Sequence, residues 1–206
     1  MIKRLNEQVL RKQEYLHKNT GGRIMAKEGR SLGEELKESR IIVVSGYIDS
    51  DKAATIIYQL MDYNAKSEKE DIQLFIGSGG GSYLDMMAII DTMNTIKAPI
   101  SGTCIGMADG YSALLLACCA AGKRYTLKHS QISFEQPYGV LQSGANQETE
   151  IAIEAREVKL EREIFENMLA QKTNTEFDKI HRDCEVGVSL SAQQALEYGI
   201  VDEILE

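Results

Sequence analysis

The chain has 206 residues, enough for one compact domain with a real core, and its 43% apolar and 26% charged residues are ordinary for a globular protein. A net charge of −8 argues against nonspecific nucleic-acid binding, which needs a basic face. The longest apolar run, Tyr111 to Ala121, is interrupted by Ser112 and too short to cross a bilayer.

Residues 1–40 are polar, with a Gly21-Gly22 break and a short amphipathic segment from Leu32 to Ser39. Met1 to Thr20 is charged throughout and has no apolar signal-peptide core, so a cytoplasmic location is expected. Ile2, Leu5, Val9 and Leu16 would share one side of a helix there, and a segment without fixed structure is equally compatible. Ile41-Ile-Val-Val44 is a β-branched run closed by Gly46, the pattern of a buried strand. Asp51 to Ala65 follows as a helix with Ala54, Ile57, Tyr58 and Met61 at helical spacing.

Ile72 to Ile76 is a second strand, which enters the turn Gly77-Ser-Gly-Gly-Gly-Ser82 and then a helix from Tyr83 to Ile96. Ile100 to Cys104 is a third strand, followed by a turn at Gly106–Gly110 and a helix through Ala120. Two short strands are expected at Lys123–Leu127 and Gln131–Phe134. This alternation points to right-handed crossovers and a largely parallel sheet. Asn146 to Lys172 reads as one long charged helix with an apolar stripe of Ile151, Ala155, Val158, Ile164, Phe165 and Met168. A domain of this size rarely needs so long a helix for its own core, so it is expected to project and pack on another subunit. At the end, Ser191 and Gly199 cap a last helix before a final strand.

Chemistry concentrates at the two glycine turns. Gly77–Ser82 lies between strand and helix, where its amides could face an anion or oxyanion. It has neither the Lys of a P-loop nor GxGxxG spacing, and a tight turn with positive φ explains it equally well. The turn before Tyr111 supplies a second amide, and two such amides make an oxyanion hole. It is also the usual seat of a nucleophile, yet the residue there, Gly110, has no side chain. The four cysteines, Cys104, Cys118, Cys119 and Cys184, lack metal-ligand spacing and read as small buried hydrophobes; no cofactor or metal is expected.

These residues resemble the proteolytic subunit of the ATP-dependent Clp protease, ClpP, over roughly residues 32–206. Matching segments are Asp71–Ser82, Ala88–Met93, Cys104–Ala108, Gly122–Tyr125, Glu135–Pro137 and Ala195–Asp202. The resemblance implies an α/β fold of the ClpP/crotonase type, built from repeated ββα and βαβ units, with a protruding handle helix at 146–172 and an N-terminal extension over 1–31. It also implies heptameric rings, single or paired, with active ClpP as a further partner.

The family is a Ser-His-Asp peptidase. Carried over by motif, its nucleophile falls on Gly110, its histidine on Glu135 and its aspartate on Asp183, with Gly80, Gly81 and Tyr111 keeping the oxyanion hole. Only the acid would survive, which implies an inactive subunit similar in role to the ClpR type. Gly79 stands where the family usually has proline. The strand lending aromatics to the ATPase-docking pocket reads Gln73-Leu-Phe75, which counts against docking of that partner.

Two other readings compete. An active serine peptidase would have to use Ser112, two residues and about 200° round the helix from Gly110. A crotonase-like acyl-thioester binder would use Gly80, Tyr111 and Glu135. His129 and His181 read as surface histidines, and a Glu135–Asp183 carboxylate pair would be an unusual acid–base couple.

Overall fold

The computed structural model describes residues 38–139 and 147–206. The expectations for the first 31 residues and for the start of the long helix at Asn146 lie outside them. The unit Arg40–Glu206 carries every element described below.

These elements in order are β1 (Ile41–Ser45), α1 (Ser50–Lys66), β2 (Ile72–Ser78), α2 (Tyr83–Thr95), β3 (Ile100–Asp109), α3 (Tyr111–Ala117), β4 (Arg124–Leu127) and β5 (Gln131–Phe134). Then come α4 (Glu148–Thr173), α5 (Phe177–Val186), β6 (Val188–Ser191), α6 (Ala192–Tyr198) and β7 (Glu203–Leu205). The main sheet runs β1-β2-β3-β4-β7, all parallel, while β5 pairs in parallel with the far end of β3 and antiparallel with β6. This is the α/β architecture expected. The helix α5 and the strand β6 are additional to the predicted elements, although Ile180 and Cys184, one helical turn apart, form the buried face of α5.

Only one face of β1 is covered. Ile42 and Val44 are buried, but Val43 is 48% exposed, so the apolar run is not a strand buried on both faces. The helix α1 differs from expectation in the same way. Its core face is Ala53, Ile56, Leu60 and Tyr63, and the anticipated stripe lies beside it, with Tyr58 and Met61 largely exposed. Two adjacent apolar stripes share this helix, and spacing alone does not say which one the sheet covers.

The third strand is longer than expected and absorbs the predicted turn at Gly106. Ile76 pairs with Cys104, but Ser78 pairs with Ala108, so β3 carries extra residues opposite Gly77. This is a bulge, and it needs glycine on both strands. Gly106 has φ +82°, and a Cβ on Gly77 would lie 2.9 Å from the carbonyl oxygen of Ile105. Beyond the bulge the strand reaches Asp109, and Gly110 turns it into α3, whose residues Ser112 to Ala117 are all buried.

The helix α4 buries only its C-terminal part: Phe165, Glu166, Leu169 and Thr173. No residue from Glu148 to Ile164 is buried, so more than half of a rod about 39 Å long projects beyond the core of its own unit. Ser191 caps α6 through its hydroxyl and Gly199 ends it in the left-handed conformation, as the sequence predicts.

Candidate functional site

The bulge in β3 brings its end against the glycine turn after β2. Gly110 has φ 52° and ψ −120° and caps α3. That backbone is the strained strand-to-helix elbow that holds a nucleophile up into solvent in hydrolases. A Cβ built on Gly110 meets nothing within 4 Å, so the elbow is intact and the space above it open. Its own amide donates to the carbonyl of Ser133 at 2.9 Å, which fixes it to β5.

Gly80 abuts this elbow, since a Cβ there would lie 3.3 Å from the carbonyl oxygen of Asp109 and 4.0 Å from the amide nitrogen of Tyr111. The Gly80 amide donates to the hydroxyl of Ser78 at 3.2 Å, and its carbonyl accepts from Ile48 at 3.0 Å. The Gly80 amide is therefore engaged. The amides of Gly81 and Tyr111 donate to no other group among the described residues. Gly81 packs so closely on Ile48 that a Cβ would fall 2.3 Å from its carbonyl oxygen.

These elements enclose a cleft of about 490 Å³ lined by Gly80, Gly81, Gly110, Tyr111 and Glu135, all five expected from the sequence. Asp109 and Glu161 line it as well. The Ser133 hydroxyl donates to Asp109 at 2.6 Å, and the Tyr111 hydroxyl donates to Glu161 at 3.4 Å. Burial, then the nearby Glu154 and Glu157, raise the Glu161 carboxyl above its ordinary value against the lowering effect of the Tyr111 bond. Burial, then the same carboxylate, push the Tyr111 hydroxyl up.

Asp183 does not join this group. It lies on α5, where Lys179 and the Tyr198 hydroxyl both donate to its carboxylate at 2.6 Å. Burial would raise its pKa, but these two hydrogen bonds outweigh that and hold it below the usual carboxylate range. Asp183 ties α5 to α6. The position facing Glu135 is Gly187 instead. Phe134 pairs with Val188, so the antiparallel register sets residue 135 opposite residue 187. A Cβ on Gly187 would lie 3.6 Å from the Cβ of Glu135 and 3.8 Å from its Oε2. No motif in the sequence marks this pairing, because it depends on α5 and β6, which lie outside the predicted elements.

Ser112 is fully buried in α3, and its hydroxyl lacks a partner among the described residues. A substrate in the cleft does not reach it. His129 is exposed on the turn between β4 and β5. His181 is not a plain surface residue. Its Nδ1 lies 2.8 Å from the buried Glu166 carboxylate, which also accepts from Arg162 at 2.7 Å, and Arg162 donates to the side-chain oxygen of Gln136 at 3.0 Å. This network anchors the base of α4 to α5 and to the segment carrying Glu135.

All four cysteines are buried, and burial pushes the thiols of Cys104 and Cys118 up to about 11 and that of Cys184 to about 12. They have the inert environment of core residues. Among the described residues no helix is long and apolar enough to cross a membrane. The sequence model of the family described as Clp protease matches residues 26–206.

Proposed function

The chain belongs to the Clp protease family, and on that premise we propose that it is a ClpP-like subunit that has lost its own peptidase chemistry and serves a Clp protease complex as a structural or regulatory member. The observation that carries this reading is the elbow at Gly110. It has the backbone of a nucleophile seat and an open space above it, but no side chain.

A serine peptidase needs a hydroxyl, a base to take its proton and an acid to orient the base. Gly110 supplies no nucleophile. By motif Glu135 stands in place of the base, and a carboxylate has little drive to accept a serine proton. The residue opposite Glu135 is Gly187, so the orienting acid is missing too. Three side chains of one relay are absent together, while the frame that would hold them remains.

Assembly follows from the same reading. The projecting half of α4, with Ile151, Ile153 and Leu160 exposed, suits packing on another subunit. We propose heptameric rings, single or paired, in the cytoplasm, with active ClpP as a ring partner. Gln73 in β2 weighs against direct docking of the ATPase.

The test uses the full chain purified alone and together with an active ClpP subunit. Alone it should neither cleave a fluorogenic peptide nor react with a fluorophosphonate. Native mass spectrometry of the mixture should show rings containing both chains. A labelled serine in the lone protein would refute the loss of chemistry, and recovery only as separate homo-oligomers would refute the mixed ring.

A further inference from the structure

The cleft beside Gly110 has a charge pattern that the loss of the relay does not explain. Three carboxylates line it, from Asp109, Glu135 and Glu161, and none of the described residues in its lining is Lys, Arg or His. Two of the three are positioned by hydroxyl donors, Asp109 by Ser133 and Glu161 by Tyr111. The apolar lining is aromatic: Tyr83 meets Tyr111 at 5.6 Å between ring centres, and Tyr111 meets Phe165 edge-on at 5.5 Å.

A metal ion would need its carboxylates gathered together, and among the described residues no group of three His, Cys, Asp or Glu can hold one. The ligand that suits dispersed carboxylates beside ring faces is an organic cation on an apolar stem. Its methylenes lie along the rings, its charge is drawn to the ring quadrupole, and its head reaches a carboxylate. Lysine and arginine side chains have this form.

We propose that this cleft selects polypeptide segments presenting Lys or Arg and holds them without cleavage. The proposal rests on the reading that the cleft is a peptidase cleft without its relay. The acidic lining itself works against the family's chemistry, because carboxylates near an oxyanion hole raise the energy of the anion that forms there. Binding of a cation carries no such penalty.

The test is fluorescence anisotropy with three labelled peptides identical except at one central residue: lysine, norleucine or glutamate. The lysine peptide should bind about tenfold tighter than the norleucine peptide at low salt, and this margin should shrink as salt rises. The variant Asp109→Asn/Glu135→Gln/Glu161→Gln should bind both within about threefold of each other, since amides keep the shape and remove the charge. A control with the same charge change elsewhere, Glu70→Gln/Glu197→Gln/Glu203→Gln on exposed positions, should keep the lysine preference.

Equal binding of the lysine and norleucine peptides would overturn the proposal, as would loss of the preference in the surface control. Failure of all three peptides to bind would overturn it as well. Mass spectrometry of the same samples reads the other claim separately. Cleaved peptide with a lysine preference would refute the lost chemistry and leave the selectivity standing.

Discussion

At the scale of single residues, the proposed loss of chemistry rests on three positions, and they are not equally visible in the sequence. Gly110 is legible because its neighbours form a recognisable turn-and-helix motif. Glu135 is legible through the following Gln136-Pro137. Gly187 is not, because only the cross-strand register of β5 and β6 shows that it faces Glu135. Asp183 offers itself as the relay acid by sequence position, but it lies four residues before Gly187 and on a helix. Restoring one side chain should not restore activity. Gly110→Ser should fit without a clash, cost about 1–3 kcal/mol for the positive φ, and leave peptide hydrolysis at background. Urea unfolding and a fluorogenic assay check both parts. The triple change Gly110→Ser/Glu135→His/Gly187→Asp should give measurable hydrolysis and fluorophosphonate labelling. The same set with Gly187 retained should be markedly slower.

At the scale of elements, the boundaries of α1, β2, α2 and β5 are legible because apolar spacing and turn residues agree there. What stays hidden is orientation. The two apolar stripes of α1 have equal claim on the core by spacing, and packing against the sheet buries only one. The bulge in β3 is hidden too, since its two extra strand residues leave no periodic signal. The glycine turn that meets this bulge tolerates little change. Gly81→Ala would drive a methyl into the backbone of Ile48, and should lower the thermal midpoint and weaken peptide binding together. The base of α4 is held by a buried charge. Glu166 is 1% exposed, and Arg162→Met would leave it only the partly exposed His181, so a loss of about 3 kcal/mol is expected in urea unfolding. A conservative Arg162→Lys should recover part of this. A loss below about 0.5 kcal/mol for Arg162→Met would show that water compensates the carboxylate.

At the scale of the molecule, β7 closes one edge of the main sheet, and an ion pair fastens it. The Arg124 guanidinium donates to Asp202 at 2.5 Å and 2.9 Å, the Arg124 amide adds a bond at 3.0 Å, and the side chain also reaches the carbonyl of Lys172. Burial raises the pKa of Asp202, but the bonds from Arg124 outweigh it and hold the carboxyl below its ordinary 3.8. A depressed folded value means that the stabilisation is complete above the unfolded pKa and is lost as pH falls through the folded one. The native chain should therefore lose stability on acidification below about pH 4, and Asp202→Asn should flatten that limb. The gap between their urea midpoints should be widest at pH 7 and narrow at pH 3. A gap constant with pH would show that the pair contributes by shape alone.

The divided pairing of β3 has a consequence for motion. Up to Cys104 the strand lies between β2 and β4, and past the bulge, from Met107 to Asp109, it pairs with β5. Gly106 separates the two lengths, so breaking the bonds to β5 does not require breaking those to β4. Amide hydrogens of residues 107–109 should then exchange through a smaller opening than those of residues 102–104. The floor of the cleft would breathe independently of the sheet that carries it.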